Sequence, residues 1–108
     1  SPSQIRILTV ADRHEPFAQE VAKRFKREGF QVEVDAGSES VSKKVRDAQL
    51  AQVNYMLTIG DKEVEDGKIS LRTRNNVVHG QIDIETFLNA IKIEKISRSL
   101  TSPFEQKS

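Results

Sequence analysis

Residues Tyr55–Ile59 form a nearly continuous apolar run that stops at Gly60. A strand with one wet face alternates apolar and polar residues, whereas a continuous run is typical of a strand covered on both faces. The run therefore predicts the centre of a sheet that has helices packed on both sides. With 108 residues the chain has room for one such core, so we expect one domain.

Upstream of this run the sequence alternates between strand and helix patterns. Residues 5–10 are rich in β-branched apolar side chains and predict a first strand. A helix over 16–28 follows, because apolar residues recur every four positions and Gly29 can end it. The alternation over 30–35 predicts a second strand toward a sheet edge, and an apolar stripe that starts at Val41 predicts a short second helix.

Downstream of the run the pattern changes to a loop, a hairpin and a helix. Residues 61–67 carry four acids in seven positions and predict an acidic loop. Residues 68–82 predict a hairpin around Asn75 and Asn76, which can adopt positive φ, and Asp83 is placed to cap a final helix. The order βαβαβ, hairpin and C-terminal helix predicts an α/β fold with three α/β/α layers and a mixed five-stranded sheet.

The two ends of the chain are expected to lie outside this domain. We interpret residues 1–4 as a linker or tag, residues 5–100 as the domain and residues 101–108 as a flexible tail. The first residue is Ser1 rather than Met, which suggests a piece of a longer protein. No run approaches the ~18 apolar residues of a membrane span. We expect a cytoplasmic protein without a membrane partner, with mitochondria as the alternative compartment.

Composition narrows the function classes. The formal net charge is only +1, which excludes a histone-like polycation, so any contact with nucleic acid must come from local charge clusters. The chain has no Cys and two His, so neither a disulfide framework nor a structural metal site is expected. The sequence has no Ser or Cys nucleophile motif and no glycine-rich dinucleotide turn, which argues against catalysis within these residues.

The segment 68–74 carries the most informative pattern for a binding site. A period of two places four polar side chains on one strand face, namely Lys68, Ser70, Arg72 and Arg74. Three cations and a hydroxyl suit a polyanion, and an Arg fork can also bind O6 and N7 of guanine. A solvated strand face that discourages edge pairing would show the same pattern, so both interpretations stay open.

Glu63 is the acid that we select from the segment 61–67. The segment follows the end of the central strand, where open α/β sheets tend to bind ligands. A carboxylate beside Arg72 can accept from guanine N1 and N2 or from cytosine N4, which adds base selection to phosphate attraction. The alternative is a solvent-exposed loop that neutralises nearby lysines. Magnesium is less favoured, because no phosphate-loop or calcium-loop signature is present.

Further candidates lie on the second helix and at the two histidines. Lys43, Lys44 and Arg46 fall within one turn near the helix start, where they could contact phosphates or form a solvated face. His79 could contact a base or bond within the hairpin, and His14 could cap the first helix. Neither histidine is predicted to be catalytic.

Two strings in the sequence carry a family resemblance. Residues 55–74 read YMLTIGDKEVEDGKISLRTR, and residues 43–50 read KKVRDAQL. Together they resemble the C-terminal anticodon-binding domain of threonyl-tRNA synthetases, which are class II aminoacyl-tRNA synthetases. The resemblance covers about residues 5–100. Related domains occur in histidyl-, prolyl- and glycyl-tRNA synthetases, but the GDKEVE and LRTR strings favour the threonine enzymes.

The resemblance implies a set of anticodon-binding residues. Glu63 and Arg72 match the Glu and Arg with which the family reads the second and third anticodon bases. Ser38 stands where the family often has Asn, and its hydroxyl can still donate and accept. The expected tRNA-binding set is Glu63, Arg72, Arg74, Lys44, Arg46 and Ser38. No catalytic or metal-binding residue is expected.

By the same resemblance, the parent protein attaches threonine to its tRNA using ATP, and this chain supplies anticodon recognition without catalysis. ATP, Mg and Zn are expected in a catalytic domain outside this chain, and no cofactor is expected within it. The implied partners are the anticodon loop of threonine tRNA and that catalytic domain, with the parent a homodimer. The alternative is a noncatalytic paralogue that uses the fold for nucleic-acid binding or subunit assembly, which the intact Glu63 and Arg72 pair disfavours.

Overall fold

The computed structural model describes the backbone of residues 5–107 and the side chains of residues 5–96, so the expected linker or tag, residues 1–4, lies outside it. The predicted order of strands and helices is confirmed, with a 3₁₀ helix at Asp12–His14 and one further short helix. The elements are β1 (Ile5–Thr9), α1 (Glu15–Arg27), β2 (Val32–Asp35), α2 (Val41–Leu50), β3 (Tyr55–Ile59), α3 (Asp61–Asp66), β4 (Lys68–Thr73), β5 (Val78–Asp83) and α4 (Ile84–Lys107).

The five strands form one mixed sheet in the order β2-β1-β3-β4-β5. β1 pairs in parallel with β2 and β3, whereas β4 pairs antiparallel with β3 and β5. The prediction of β3 as the central strand and β2 as an edge is confirmed. Because the chain passes from β1 out to β2 and returns to β3, the carboxyl ends of β1 and β3 meet at a topological switch point.

Apolar clusters lie on both faces of the sheet. On one face, α1 and α4 pack against the strands, with the ring centroids of Phe25 and Phe87 5.8 Å apart and those of Phe87 and Tyr55 5.3 Å apart. On the other face, α2 covers a smaller cluster that includes Leu8 and Met56. Each large buried side chain contributes roughly 1.5–3 kcal/mol. The larger cluster therefore supplies most of the stabilisation, and the predicted three layers are confirmed.

The hairpin leads directly into α4, because β5 ends at the residue before the helix begins. Ile82 and Phe87, whose spacing suits a hydrophobic staple around the start of α4, both pack in the larger core. The helix continues to Lys107, so most of the segment 101–108 has helical backbone, and its flexibility stays a prediction. Among the described residues, no helix is both long and apolar enough to span a membrane.

Candidate nucleic-acid interface

In the part of the chain that the structure describes, helix α2 packs over β1 and β3 and does not extend over the same side of β4 and β5. We call this surface the open face; it is formed by Lys68, Ser70, Arg72, Val78 and Gln81, which are half-buried or exposed. Ser70 pairs with Gln81 and Arg72 with Val78, so these side chains share one side of the ladder. The intervening apolar residues of β4 are buried in the core, as the period of two predicted.

The predicted acidic loop over 61–67 is wrong, because most of it forms α3. The helix ends at Gly67, which has φ 68° and supplies the left-handed end. Val64 is its one apolar residue, so hydrophobic periodicity could not reveal it. The available signal was Glu63 at the third helical position, whose Oε1 accepts from the N–H of Gly60 at 2.8 Å and closes the first turn.

Both carboxylate oxygens of Glu63 are held in place. While Oε1 binds Gly60, Oε2 accepts from Nε2 of Gln81 at 3.1 Å. This second bond brings Glu63 to the border of the open face. A Cβ at Gly60 would lie 3.2 Å from Glu63 Oε1 and 3.2 Å from a methyl group of Val10, so glycine allows the close approach of the carboxylate. Each oxygen keeps a lone pair that can accept from a ligand.

The start of α3 is anchored to the turn after β1. Asp61 accepts two hydrogen bonds from the Arg13 guanidinium, at 2.9 and 2.7 Å. The buried His14 binds the same carboxylate through Nε2 at 2.6 Å, while its Nδ1 accepts from the N–H of Ala11 at 3.0 Å. Bonding from Arg13, and then from His14, lowers the pKa of Asp61 below its ordinary value. His14 precedes α1 as expected, but its ring makes no capping bond to α1; it closes the 3₁₀ helix through Ala11 and contacts Asp61 at the start of α3.

Arg72 lies on β4 opposite Met56, with its side chain half-buried on the open face. Its Nη1 donates to Oδ1 of Asn76 at 2.6 Å, and Nε2 of Gln49 donates to the same oxygen at 3.0 Å. Ser70, which pairs with Gln81, lies two residues before Arg72 on β4. Two residues of a strand span ~7 Å. The structure therefore places the Glu63 acceptor and the Arg72 donor around one surface.

Three other predicted residues are exposed, two of them beside this surface and one away from it. Arg46 lies on α2 three residues before Gln49, which places it on the helix side that faces the hairpin. Arg74 lies in the turn beyond the end of β4, and its backbone N–H donates to Asn54 O at 3.1 Å. Ser38 lies in the loop between β2 and α2, on the far side of α2 from the hairpin strands.

Lys44 differs from the other predicted residues because its side chain is 1% exposed. Its Nζ donates to the backbone oxygen of Thr9 at 2.7 Å and contacts Thr9 Oγ1 at 3.4 Å. The ammonium therefore ties α2 to the end of β1. The sequence interpretation placed Lys44 on the surface with Lys43 and Arg46, and the structure corrects this: only the latter two are exposed.

Sequence reasoning missed three polar residues around the predicted pair: Gln81 binds Glu63, Asn76 binds Arg72, and Gln49 binds Asn76. Neutral amides on different elements carry no periodic signal, so only the strand register and the turn geometry bring them together. The predicted hydrogen bond of His79 within the hairpin is present, because its Nε2 lies 3.4 Å from Thr73 Oγ1.

Residues 4–94 match the family model described as the anticodon binding domain. This chain belongs to the anticodon-binding domain family. Among solved structures, the RNA binding domain of threonyl-tRNA synthetase from Cryptosporidium parvum Iowa II superposes with a TM-score of 0.79 at 31% identity, covering 85% of this chain and 23% of that chain. Histidyl-tRNA synthetase from Nostoc sp. PCC 7120 superposes with a TM-score of 0.78 at 18% identity, covering 87% and 23%, which shows the fold alone.

Curated relatives of this anticodon-binding chain confirm the resemblance to threonyl-tRNA synthetases. The threonine–tRNA ligase of Protochlamydia amoebophila is 64% identical over 104 residues, and that of Chlamydia felis is 54% identical over 101 residues. The alignments cover 96% and 94% of this chain. The chain spans 16% of the length of each relative.

Proposed function

We propose that this chain is the anticodon-recognition part of a threonine–tRNA ligase and that its open face receives the anticodon loop of threonine tRNA. The observation that carries the proposal is the placement of Glu63 and Arg72 around one uncovered sheet surface in a chain of this family. One residue offers a fixed acceptor and the other a fixed donor. This combination suits the edges of unpaired bases, which single-stranded RNA loops expose.

Arg72 supplies the donor side of recognition. One guanidinium nitrogen binds Asn76, and the fork has five N–H groups in total. The remaining groups can bind two acceptors of a base edge in parallel, a geometry that also distinguishes one base from another. By the family resemblance, we assign Arg72 to the third anticodon base.

Glu63 supplies the acceptor side. Its carboxylate is already oriented by Gly60 and Gln81, so little side-chain freedom remains to be lost when a base binds. A carboxylate matches the adjacent N1 and N2 donors of guanine, and it rejects bases that present acceptors there. We assign Glu63 to the middle anticodon base.

The exposed cations provide contacts that do not depend on sequence. Arg46 on α2 and Arg74 in the hairpin turn flank the open face and are suited to phosphate oxygens. Ser38 can add a hydroxyl contact from the loop before α2. Lys44 is left out of this set, because its ammonium is committed to Thr9.

For the parent protein we propose ATP-dependent ligation of threonine to tRNA in a homodimeric cytoplasmic enzyme. The relatives bear the name threonine–tRNA ligase, and this chain corresponds to a small part of them. The ATP, Mg and Zn sites would lie in the catalytic domain, outside this chain. That domain and the anticodon loop would be the two partners of the present chain.

The Arg72→Ala variant tests the proposed function. We expect affinity for the threonine anticodon stem-loop to fall by about 1–3 kcal/mol and the preference for the native third base to decrease, since a bidentate donor is lost. Arg27→Ala is the control, because Arg27 is exposed on α1, behind the sheet. It should change binding little and equally for all loops. Equal losses for every loop sequence with Arg72→Ala would reduce Arg72 to a phosphate contact.

A further inference from the structure

The hairpin turn contains an acceptor shared by two elements. Oδ1 of Asn76 accepts from Arg72 Nη1 at 2.6 Å and from Gln49 Nε2 at 3.0 Å. Arg72 lies on β4 and Gln49 on α2, so one amide oxygen connects the open face to the helix beside it. Neither donor belongs to the turn itself.

Asn76 combines the two properties that this position requires. Its φ is +65°, a left-handed conformation that Asn tolerates better than most residues other than glycine. Its short side chain also carries an oxygen acceptor that reaches back four residues to Arg72. The preceding Asn75 has a different role, because its Oδ1 lies 2.6 Å from Thr73 Oγ1 within the turn.

The bond to Asn76 restricts the Arg72 side chain before any ligand binds. A free Arg side chain samples many rotamers, and holding one of them on binding reduces affinity. Asn76 occupies one nitrogen of the fork, and Gln49 restrains the acceptor from the other side. The outer donors of the guanidinium are thereby presented to the open face in a defined orientation.

We propose that Asn76 is a positioning residue that sets the base preference of Arg72. The inference rests on the proposed function, since it assumes that Arg72 reads a base. With this role for Asn76, the hairpin turn contributes to the recognition surface through a side chain as well as through its backbone. Asn76 itself need not touch RNA.

The test compares the 108-residue chain with Asn76→Gly, Asn76→Asp, Asn75→Gly, Arg72→Ala and the double variant Asn76→Gly/Arg72→Ala. Glycine accepts positive φ, so Asn76→Gly removes the acceptor without straining the turn. Each protein is titrated with the threonine anticodon stem-loop and with a loop changed at the third base, after thermal unfolding has shown that it is folded.

We expect Asn76→Gly to reduce the ratio of the two affinities by about two- to twelve-fold. This range corresponds to the entropy cost of immobilising one flexible side chain on binding. Asn75→Gly makes the turn similarly flexible but should leave the ratio unchanged. In the Arg72→Ala background, Asn76→Gly should have no further effect on the ratio. Asn76→Asp keeps an oxygen acceptor and should preserve the ratio, although its charge weakens binding to every RNA.

Three results would overturn the inference. The ratio could stay unchanged in Asn76→Gly while Arg72→Ala lowers it, which would leave the proposed function intact. It could fall equally in both glycine variants, which would indicate a general effect of turn flexibility. If Arg72→Ala itself leaves the ratio unchanged, base reading by Arg72 fails, and the role of Asn76 fails with it.

Discussion

Lys43 and Lys44 are adjacent in the sequence but occupy opposite environments. Lys43 is exposed and pairs with Asp47 at 3.2 Å, whereas Lys44 is buried with its ammonium on Thr9 O. The helical period places Lys44 above Ala48, which is fully buried, so its apolar stem lies on the inner side of α2. The sequence interpretation could not identify Lys44 as buried, because it lies next to another cation and because the carbonyl that accepts its ammonium lies on β1, 35 positions away.

Lys44→Ala should therefore reduce stability rather than phosphate binding. Removal of the ammonium takes a hydrogen bond from a buried carbonyl, which costs about 1–3 kcal/mol, and the lost stem adds a cavity. Denaturant unfolding measures the loss. Arg46→Ala is the matched variant on the exposed side of α2: it should leave stability unchanged and lower the slope of log affinity against log salt by about one. If Lys44→Ala instead kept the stability of the unmodified chain and showed a reduced salt dependence of RNA affinity, Lys44 would be an RNA contact after all.

At the scale of elements, α3 is the helix that the sequence interpretation did not predict. The strands and the long helices follow from apolar periodicity, and their order was predicted correctly. α3 has no apolar stripe, and its stability comes from the Glu63 bond to Gly60 and from the contacts of Asp61 with Arg13 and His14. Because Arg13 and Asp61 are 48 positions apart, the anchor depends on the switch point and could not be read from local sequence.

The anchor of α3 predicts a pH dependence of stability. The pKa of Asp61 is lower in the folded chain than in an unfolded one, chiefly through the Arg13 hydrogen bonds. Its stabilising contribution is therefore complete above the unfolded value of about 3.9 and is lost as the pH falls further. Asp61→Asn should lower stability at neutral pH and make the decrease in unfolding free energy below pH ~4 shallower.

Denaturant unfolding over a series of acidic buffers would measure this effect. Arg13→Ala should flatten the same part of the curve, because it removes the main cause of the shift. An Asp61→Asn curve with the same slope as that of the unmodified chain would show that the anchor contributes nothing to stability.

At the scale of the whole molecule, the two faces of the sheet differ in how much of them the helices cover. Among the described residues, α1 and α4 cover one face of the sheet, while α2 packs over β1 and β3 of the other face and does not extend over β4 and β5. The sequence predicted this fold and the polar face of β4, because both follow from the period of side chains along helices and strands. It could not predict that Gln81 and Asn76 orient Glu63 and Arg72, since these contacts depend on strand register and on a left-handed turn.

The central claim, that this chain reads bases through fixed side chains, is tested most directly at Glu63. In Glu63→Gln the new amide oxygen can still accept from Gly60, and its NH₂ can donate to Gln81 if that amide rotates. The fold should therefore persist, while the guanine donors lose one of two acceptors. Glu65→Gln makes the same change of charge at an exposed position of α3 and is the control.

The measurement is the affinity of each variant for a threonine anticodon stem-loop and for one changed at the middle base. We predict that Glu63→Gln binds the native loop more weakly and loses most of the difference between the two loops. Glu65→Gln should bind both slightly more tightly, because one repulsive charge is removed. If Glu63→Gln instead binds both loops more tightly, like its control, the carboxylate acts only through its charge and the account of base reading is contradicted.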